Sequence, residues 1–337
     1  MPKSTIDPNG PRLRFGVLGC GDIAWRNTVP AIQRCGAEVV VFASRSGDRA
    51  RRFADRFGGA AVEGYERLLA RTDVDAVYVA LPTGLHHTWA RRALESGRHV
   101  LAEKPLTATL DEAADLVRLA AQRGRWLAEN FTFPYHSQHT AVQKVIADGE
   151  IGRPRVYEIV FGIPARPDGD IRNDPELGGG ALLDLGVYTA RAIRLMCEPA
   201  DGAGLEVAGA TLNIDPALGV DVAGSALLGL PGGATGHLSF GFGLAYRSAY
   251  AVWGSEGRVS LQRAFTPPAS LRPVLRLERQ DRVEERTLPA DDQHANVVAA
   301  FVRAAVDGAP FGPQGESLLR QAALVQRIRG TAKPSFA

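Results

Sequence analysis

The sequence predicts an α/β chain in two parts: a parallel sheet covered by helices on both faces, then an α+β part built on a large, mostly antiparallel, open-faced sheet. Three observations predict it. Up to about residue 130, apolar strand-like runs alternate with amphipathic helical patterns at short spacing, as in a parallel sheet with crossover helices. From about residue 205, short β-rich runs separated by Gly-rich turns replace that alternation. A chain of 337 residues is too long for one ordinary core and suits two domains. We place them at 1–130 and 131–337, with the last helix able to pack back on the first domain.

Residues 1–12 read as a flexible lead. LRFGVLG is an apolar strand ending in glycine, and AWRNTVPAIQRC a helix that Pro30 must bend or break. AEVVVFAS is a second buried strand, and GDRARRFADRFG a helix closed by Gly58 and Gly59. DAVYVAL, RHVLA and RWLAEN are further strands, separated by the helices HHTWARRALESG and TATLDEAADLVRLAAQRG. The second part opens with the helix SQHTAVQKVIADG and the strand VYEIVFG, followed by a Pro-rich loop and three consecutive glycines. EVAGATLNI, DVAGSALLGL, GATGHLSFGF, SAYAVWGS, GRVSLQ and VLRLERQ then read as sheet strands. HANVVAAFVRAAVDG and ESLLRQAALVQRIRG are closing helices.

Composition excludes several classes. The net charge is +2 with both signs interspersed, which argues against nucleic acid or an anionic membrane as the main partner. No apolar stretch approaches the ~20 residues that span a bilayer, and the N-terminal stretch lacks the apolar core of a signal peptide. Cys20, Cys35 and Cys197 are too scattered for a disulfide framework, and no Cys/His cluster has metal spacing. A soluble, reduced, cytoplasmic protein without a metal is expected.

The first strand runs into Gly19–Cys20–Gly21–Asp22–Ile23–Ala24. Between a strand and a helix, such a turn binds a dinucleotide: Gly19 permits the turn, Gly21 admits a pyrophosphate, and Ala24 packs helix on strand. The phosphates meet free N–H groups at the helix N-terminus. Where an NAD site carries a carboxylate, the second strand ends in Ser44–Arg45–Ser46, with Arg49 one turn further. Two hydroxyls and two guanidinium groups suit a 2′-phosphate, so the cofactor expected is NADPH/NADP+.

Two further segments carry chemistry. RHVLAEKPLT sets Glu103, Lys104 and Pro105 just past a strand's carboxyl end, where open α/β sheets bind ligands. Leu81, Pro82 and Thr83 end the preceding strand in the same crevice, with His86 or His87 placed to touch the cofactor, and Asn130 ends the last strand. In GGGALLDLGVYTAR, Asp184 and Tyr188 stand four apart beyond three glycines, so both project from one helix face.

These motifs, in this order, resemble the glucose–fructose oxidoreductase/inositol 2-dehydrogenase (Gfo/Idh/MocA) family over nearly the whole chain. The resemblance implies a Rossmann dinucleotide-binding domain and a C-terminal substrate domain. It implies that Lys104 lies beside the nicotinamide and the substrate oxygen, with a Lys–Pro peptide that is often cis. It implies that the glycine-led helix faces the nicotinamide, its glycines letting backbone lie close to neighbouring loops. Many members carry His at the Tyr188 position and Asp three residues later. This chain has Tyr188 and Arg191, and so resembles a branch that uses tyrosine as the acid. A phenol ionises near pH 10 and is a loaded proton donor at neutral pH. The Lys104 ammonium would favour its release and stabilise a developing alkoxide. Asp184 would hold Lys104 or a sugar hydroxyl.

ENFTFPYHSQH and FGIPARPDGDIRNDPELGGGALLDLGVY are more narrowly similar to NDP-hexose 3-ketoreductases of deoxysugar and antibiotic biosynthesis, which reduce the C3 ketone of a nucleotide-linked (dTDP) 3,4-diketo-2,6-dideoxyhexose with NADPH. Arg166 and Arg172 in that loop would then meet the substrate diphosphate. Two other readings stay open: an NADP-dependent dehydrogenase of free sugars or dihydrodiols, and a dinucleotide-sensing regulator, against which the Lys104/Asp184/Tyr188 set argues. The resemblance also implies a homodimer or homotetramer formed through the C-terminal sheet.

Overall fold

The computed structural model describes residues 12–197 and 204–336. The lead expected at 1–12 lies almost wholly outside them. Two compact units divide the chain: the described residues through Phe131 together with His294–Leu319, and Thr132–Gln293 together with Arg320 onward.

In the first unit, β1 (Arg14–Leu18) leads through a π-helical turn, Ala24–Thr28, into α1 (Val29–Arg34). Pro30 lacks the N–H that a regular helix needs and its ring crowds the carbonyl one turn back; the wide turn just upstream absorbs the mismatch. β2 (Glu38–Ser44), α2 (Gly47–Phe57), β3 (Ala60–Glu63), α3 (Tyr65–Leu69) and β4 (Ala76–Val79) follow. Next come α4 (His86–Glu95), β5 (His99–Ala102), α5 (Leu110–Arg123) and β6 (Leu127–Glu129). Thr109 and Glu112 close a capping box at the start of α5, and Gly124 ends it in the left-handed conformation. The six strands pair in parallel in the order β3-β2-β1-β4-β5-β6. The order reverses between β1 and β4, the switch point beside which such sheets bind ligands.

The second unit begins with α6 (Ser137–Ala147) and β7 (Pro154–Gly162). A loop then leads through a second π-helical turn, Leu182–Gly186, into α7 (Val187–Cys197). β8 (Glu206–Asp215), β9 (Val220–Gly229), β10 (Thr235–Gly241), β11 (Arg247–Gly254), β12 (Arg258–Gln262), β13 (Val274–Arg279) and β14 (Arg282–Thr287) complete most of its sheet. After α8 (Gln293–Val306) and α9 (Gly312–Thr331), β15 (Ala332–Phe336) adds to the edge beside β8. The order is β14-β13-β12-β11-β7-β10-β9-β8-β15, antiparallel except for β7–β10 and β8–β15. The turn at 182–186 and α7 pack on β7 and β10.

α8, apart from Gln293, belongs to the first unit and packs within it. Val297, Val298, Phe301 and Val302 are buried against Phe15, Val17, Phe42 and Tyr78, with the rings of Phe15 and Phe301 5.7 Å apart. Among the described residues, no helix is long and apolar enough to cross a membrane, and no cluster of three His, Cys, Asp or Glu could hold a metal.

Candidate functional site

Gly19 has φ 99°, and a Cβ there would run into the carbonyl oxygen of Ala80. Only glycine satisfies both conditions. A Cβ on Gly21 would meet nothing within 4 Å. The turn thus leaves open space before a helix that starts at Asp22, which is where a pyrophosphate would lie. Ala24 is fully buried, while Ile23 is 38% exposed. Cys20 is half-buried, and burial pushes its thiol up to about 12, so it stays protonated.

At the end of β2, the Ser44 hydroxyl accepts from the Ser46 N–H at 3.2 Å. The Ser46 hydroxyl caps α2, accepting from the Arg49 N–H at 3.4 Å. Burial raises the pKa of Tyr65, and the nearby Arg45 guanidinium opposes that. Beside the turn lies a cleft of about 400 Å³ lined by Cys20, Gly21, Asp22, Trp25, Arg26, Arg49, Arg52 and Phe53. Arg26 and Arg52 escaped the sequence reading; they sit one turn along from Asp22 and Arg49, and that spacing was the available signal.

Glu103 directly follows β5, inside a buried network. Tyr78 donates to its Oε1 at 2.6 Å and Asn130 Nδ2 at 2.7 Å, while Thr28 Oγ1 lies 3.0 Å from the Tyr78 hydroxyl. Burial and Glu103 raise the pKa of Tyr78 well above that of a free phenol, so it stays a donor. Asn130 Oδ1 is buried without a partner among the described residues. Lys104 follows Glu103, and the Lys104–Pro105 peptide is cis. An open glycine turn, a helix N-terminus beside guanidinium groups, and an unpartnered amide oxygen at a strand end all fit a dinucleotide.

His86, expected as a cofactor contact, is turned toward two backbone carbonyls. Its ring is 1% exposed, with Nε2 2.7 Å from the Leu81 carbonyl oxygen and Nδ1 2.8 Å from that of Pro105. Burial lowers its pKa, and the two carbonyls oppose that. His87 instead bonds Asp115 at 3.0 Å, in a surface cluster with Arg91 and Arg118. Leu81 is buried, and Pro82 and Thr83 are half-buried on the turn before α4. His136 caps α6, its Nδ1 accepting from the Gln138 N–H at 3.1 Å.

The second unit explains the three glycines. Gly178 has φ 75°. A Cβ on Gly179 would sit 2.5 Å from the Arg172 carbonyl oxygen and 2.8 Å from that of Asp174. Gly180 has φ 106°, and its Cβ would strike the Asp221 carboxylate. That carboxylate accepts from the Leu182 N–H at 2.6 Å, capping the helix from β9. Burial raises the Asp221 pKa.

Asp184 and Tyr188 do not share one regular α-helix: Asp184 lies in the π-helical turn and Tyr188 in the first turn of α7. Asp184, expected to hold Lys104 or a sugar hydroxyl, has a partner within its own unit, accepting from Arg172 Nε at 2.6 Å. Arg172 Nη1 also reaches Asp170 at 3.2 Å, and Arg166 Nη2 pairs with Asp170 at 3.1 Å. The two arginines expected to face a diphosphate are thus both held by carboxylates of their own loop and helix. The Tyr188 ring packs among Phe161, Phe265 and Phe133 at 5.0, 5.8 and 5.9 Å.

Residues 13–131 match the model of an oxidoreductase family with an NAD-binding Rossmann fold, and residues 139–260 match the GFO/IDH/MocA C-terminal domain. The chain is 49% identical over 324 residues to the dTDP-3,4-didehydro-2,6-dideoxy-alpha-D-glucose 3-reductase of Saccharopolyspora spinosa, covering 94% of this chain and 96% of that one. It is 48% identical to the reductase of the same name from Actinomadura kijaniata, covering 97% and 98%. A solved 3-ketoreductase from Actinomadura kijaniata, in complex with NADP and TDP-benzene, superposes with a TM-score of 0.94 at 47% identity, covering 97% of this chain and 100% of that one. These likenesses span both units, and the chain belongs to the Gfo/Idh/MocA family of oxidoreductases.

Proposed function

We propose that this protein is an NADPH-dependent ketoreductase that reduces the C3 ketone of a dTDP-linked 3,4-diketo-2,6-dideoxyhexose in deoxysugar biosynthesis. The observation that carries the reading is near-full-length identity of 49% to a reductase named for that sugar. The superposed relative bound to NADP and TDP-benzene adds support.

NADPH, when bound, supplies the hydride to the carbonyl carbon. Gly19, Gly21 and the helix start at Asp22 receive the pyrophosphate. Ser44, Arg45, Ser46 and Arg49 receive the 2′-phosphate, with Arg26 and Arg52 adding positive charge nearby. Glu103, fixed by Tyr78 and Asn130, sets the backbone from which Lys104 extends. Tyr188 gives its hydroxyl proton to the carbonyl oxygen, and the Lys104 ammonium stabilises the negative charge growing there. The carbon gains a hydride, the oxygen a proton, and the ketone becomes an alcohol. Arg172 Nη2 carries none of the bonds to Asp170 or Asp184, which leaves a donor edge for the diphosphate. Self-association through the second unit's sheet is part of the same reading. Leu227 and Trp253 are 43% and 45% exposed there, and sedimentation velocity measures the oligomer directly.

The test supplies the dTDP-diketo sugar, generated enzymatically, with NADPH. Oxidation of NADPH and a product two hydrogens heavier are expected, with dTDP competing against the sugar but not against NADPH. Robust oxidation of free pentoses or hexoses with no effect of dTDP would overturn the reading in favour of a free-sugar dehydrogenase.

A further inference from the structure

His86 is buried at the start of α4, and its ring joins two loops that are distant in sequence. Nε2 lies 2.7 Å from the carbonyl oxygen of Leu81, and Nδ1 lies 2.8 Å from that of Pro105. Leu81 belongs to the dinucleotide side: a Cβ on Gly19 would fall 2.9 Å from Leu81 Cδ2. Pro105 follows Lys104, and the next residue is tied by the Leu106 N–H to Glu129 Oε1 at 2.9 Å. The ring donates to both carbonyls at once only as the imidazolium. Burial lowers the ring's pKa; the Pro105 and Leu81 carbonyls and then Glu103 oppose that, and Lys104 adds to it.

We propose that His86 is a positioning residue that couples the cofactor loop to the lysine loop, Nε2 setting Leu81 for dinucleotide binding and Nδ1 setting Pro105 and thereby Lys104. The proposal rests on the dinucleotide and lysine roles given above. It requires the two nitrogens to be separable, because each serves a different carbonyl. A histidine that merely fills space would lack that property.

His86→Asn keeps a donor near the Nδ1 position and His86→Gln keeps one near Nε2. Each variant therefore leaves one carbonyl served and strands the other. Three quantities are measured on the full chain: the NADPH dissociation constant by fluorescence, the labelling rate of Lys104 by an amine-reactive reagent followed by peptide mass, and the single-turnover rate with the dTDP-diketo sugar. A stranded buried carbonyl is worth roughly a fivefold to hundredfold change. His86→Asn is expected to weaken NADPH binding by about that factor, with Lys104 labelling held to about twofold of wild type. His86→Gln should shift Lys104 labelling and the single-turnover rate instead, with NADPH binding held. The comparison is between two variants of similar stability loss, so a shared effect on folding cancels. If both variants change the same quantities together, or neither changes any, the division of labour is wrong. The binding and labelling arms involve no sugar, so they still read the clamp if the wild-type chain fails to reduce the diketo sugar.

Discussion

Arg172 Nε lies 2.6 Å from Asp184 Oδ2, binding the loop before the glycines to the helical turn after them. Burial lowers the Arg172 pKa, but Asp184 and Asp170 outweigh it, and the net shift is upward. The pair therefore holds its charges where the loop folds back on itself. Arg172→Ala leaves the Asp184 carboxylate, 14% exposed, without this partner. The expected cost is about 1–3 kcal/mol of unfolding free energy, read from urea denaturation. The KM for the sugar should rise, with NADPH binding little changed. Wild-type stability in the variant would mean that the pair contributes nothing.

Cofactor choice rests on the guanidinium groups around the end of β2. Arg45→Ala should remove most of the preference for NADPH over NADH, a loss of roughly tenfold to a hundredfold for one charge-assisted contact. Arg52→Ala, which removes a wall of the cleft, should weaken NADPH more than NADH as well. Titration of each variant with both dinucleotides checks this, and equal affinity for the two in wild type would refute the assignment.

Tyr188→Phe removes one oxygen and keeps the ring that packs on Phe161, Phe265 and Phe133. Folding and NADPH affinity should stay near wild type. Turnover should fall by ~10²–10⁴, the usual worth of a general acid. Unaltered single-turnover rates would move proton donation to another group.

Acid should weaken the fold before the arginine-held carboxylates Asp115 and Glu150 titrate. Burial, then His136, brings His139 down to about 3, and burial, then Arg125, brings His99 down to about 4. An unfolded histidine titrates near 6.5, so the unfolded chain takes up protons that the folded chain refuses. Both groups are neutral in either state above about pH 6.5, and their contribution is complete there. It falls as pH drops below that value, by at most ~1.4 kcal/mol per pH unit for each ring. Asp115 and Glu150, both held near 2 by arginines, act in the same direction but only below their ordinary range near pH 4. Unfolding free energies measured between about pH 7.5 and 5 should slope, and His139→Asn should flatten that slope. A flat wild-type profile would contradict the two buried neutral rings.

What the sequence shows of this fold is what repeats or breaks a local pattern. The alternating runs of β1, β2, β4 and β5, the glycines at 19 and 21 and the triplet at 178–180 all stand out that way. β14 did not: in RVEERT four of six residues are charged, tolerable on an edge strand and invisible to apolar periodicity. β3, only Ala60–Glu63, was too short to register, and β15 pairs with a strand far back in the chain. The same limit held at the site. Asp184 and Tyr188 were visible by spacing, whereas the partner of Asp184 lies across a loop. His86 stood out as a histidine near a strand end, but its partners are two backbone carbonyls, which leave no mark in side-chain chemistry. Tyr78 read as one more apolar strand residue, although its hydroxyl anchors Glu103.

Ser46 stands at the start of α2 with two duties, one toward its own helix and one proposed toward the 2′-phosphate. The first duty needs only an oxygen on a short side chain, and aspartate caps a helix as well as serine and suits the positive end of its dipole. Ser46→Asp would thus leave α2 intact while placing a negative charge where the phosphate would come. The electron supply of this enzyme is therefore separable from its architecture: a lineage or an engineer moving it from one nicotinamide pool to the other could begin with a single residue and disturb neither the sheet nor the sugar chemistry.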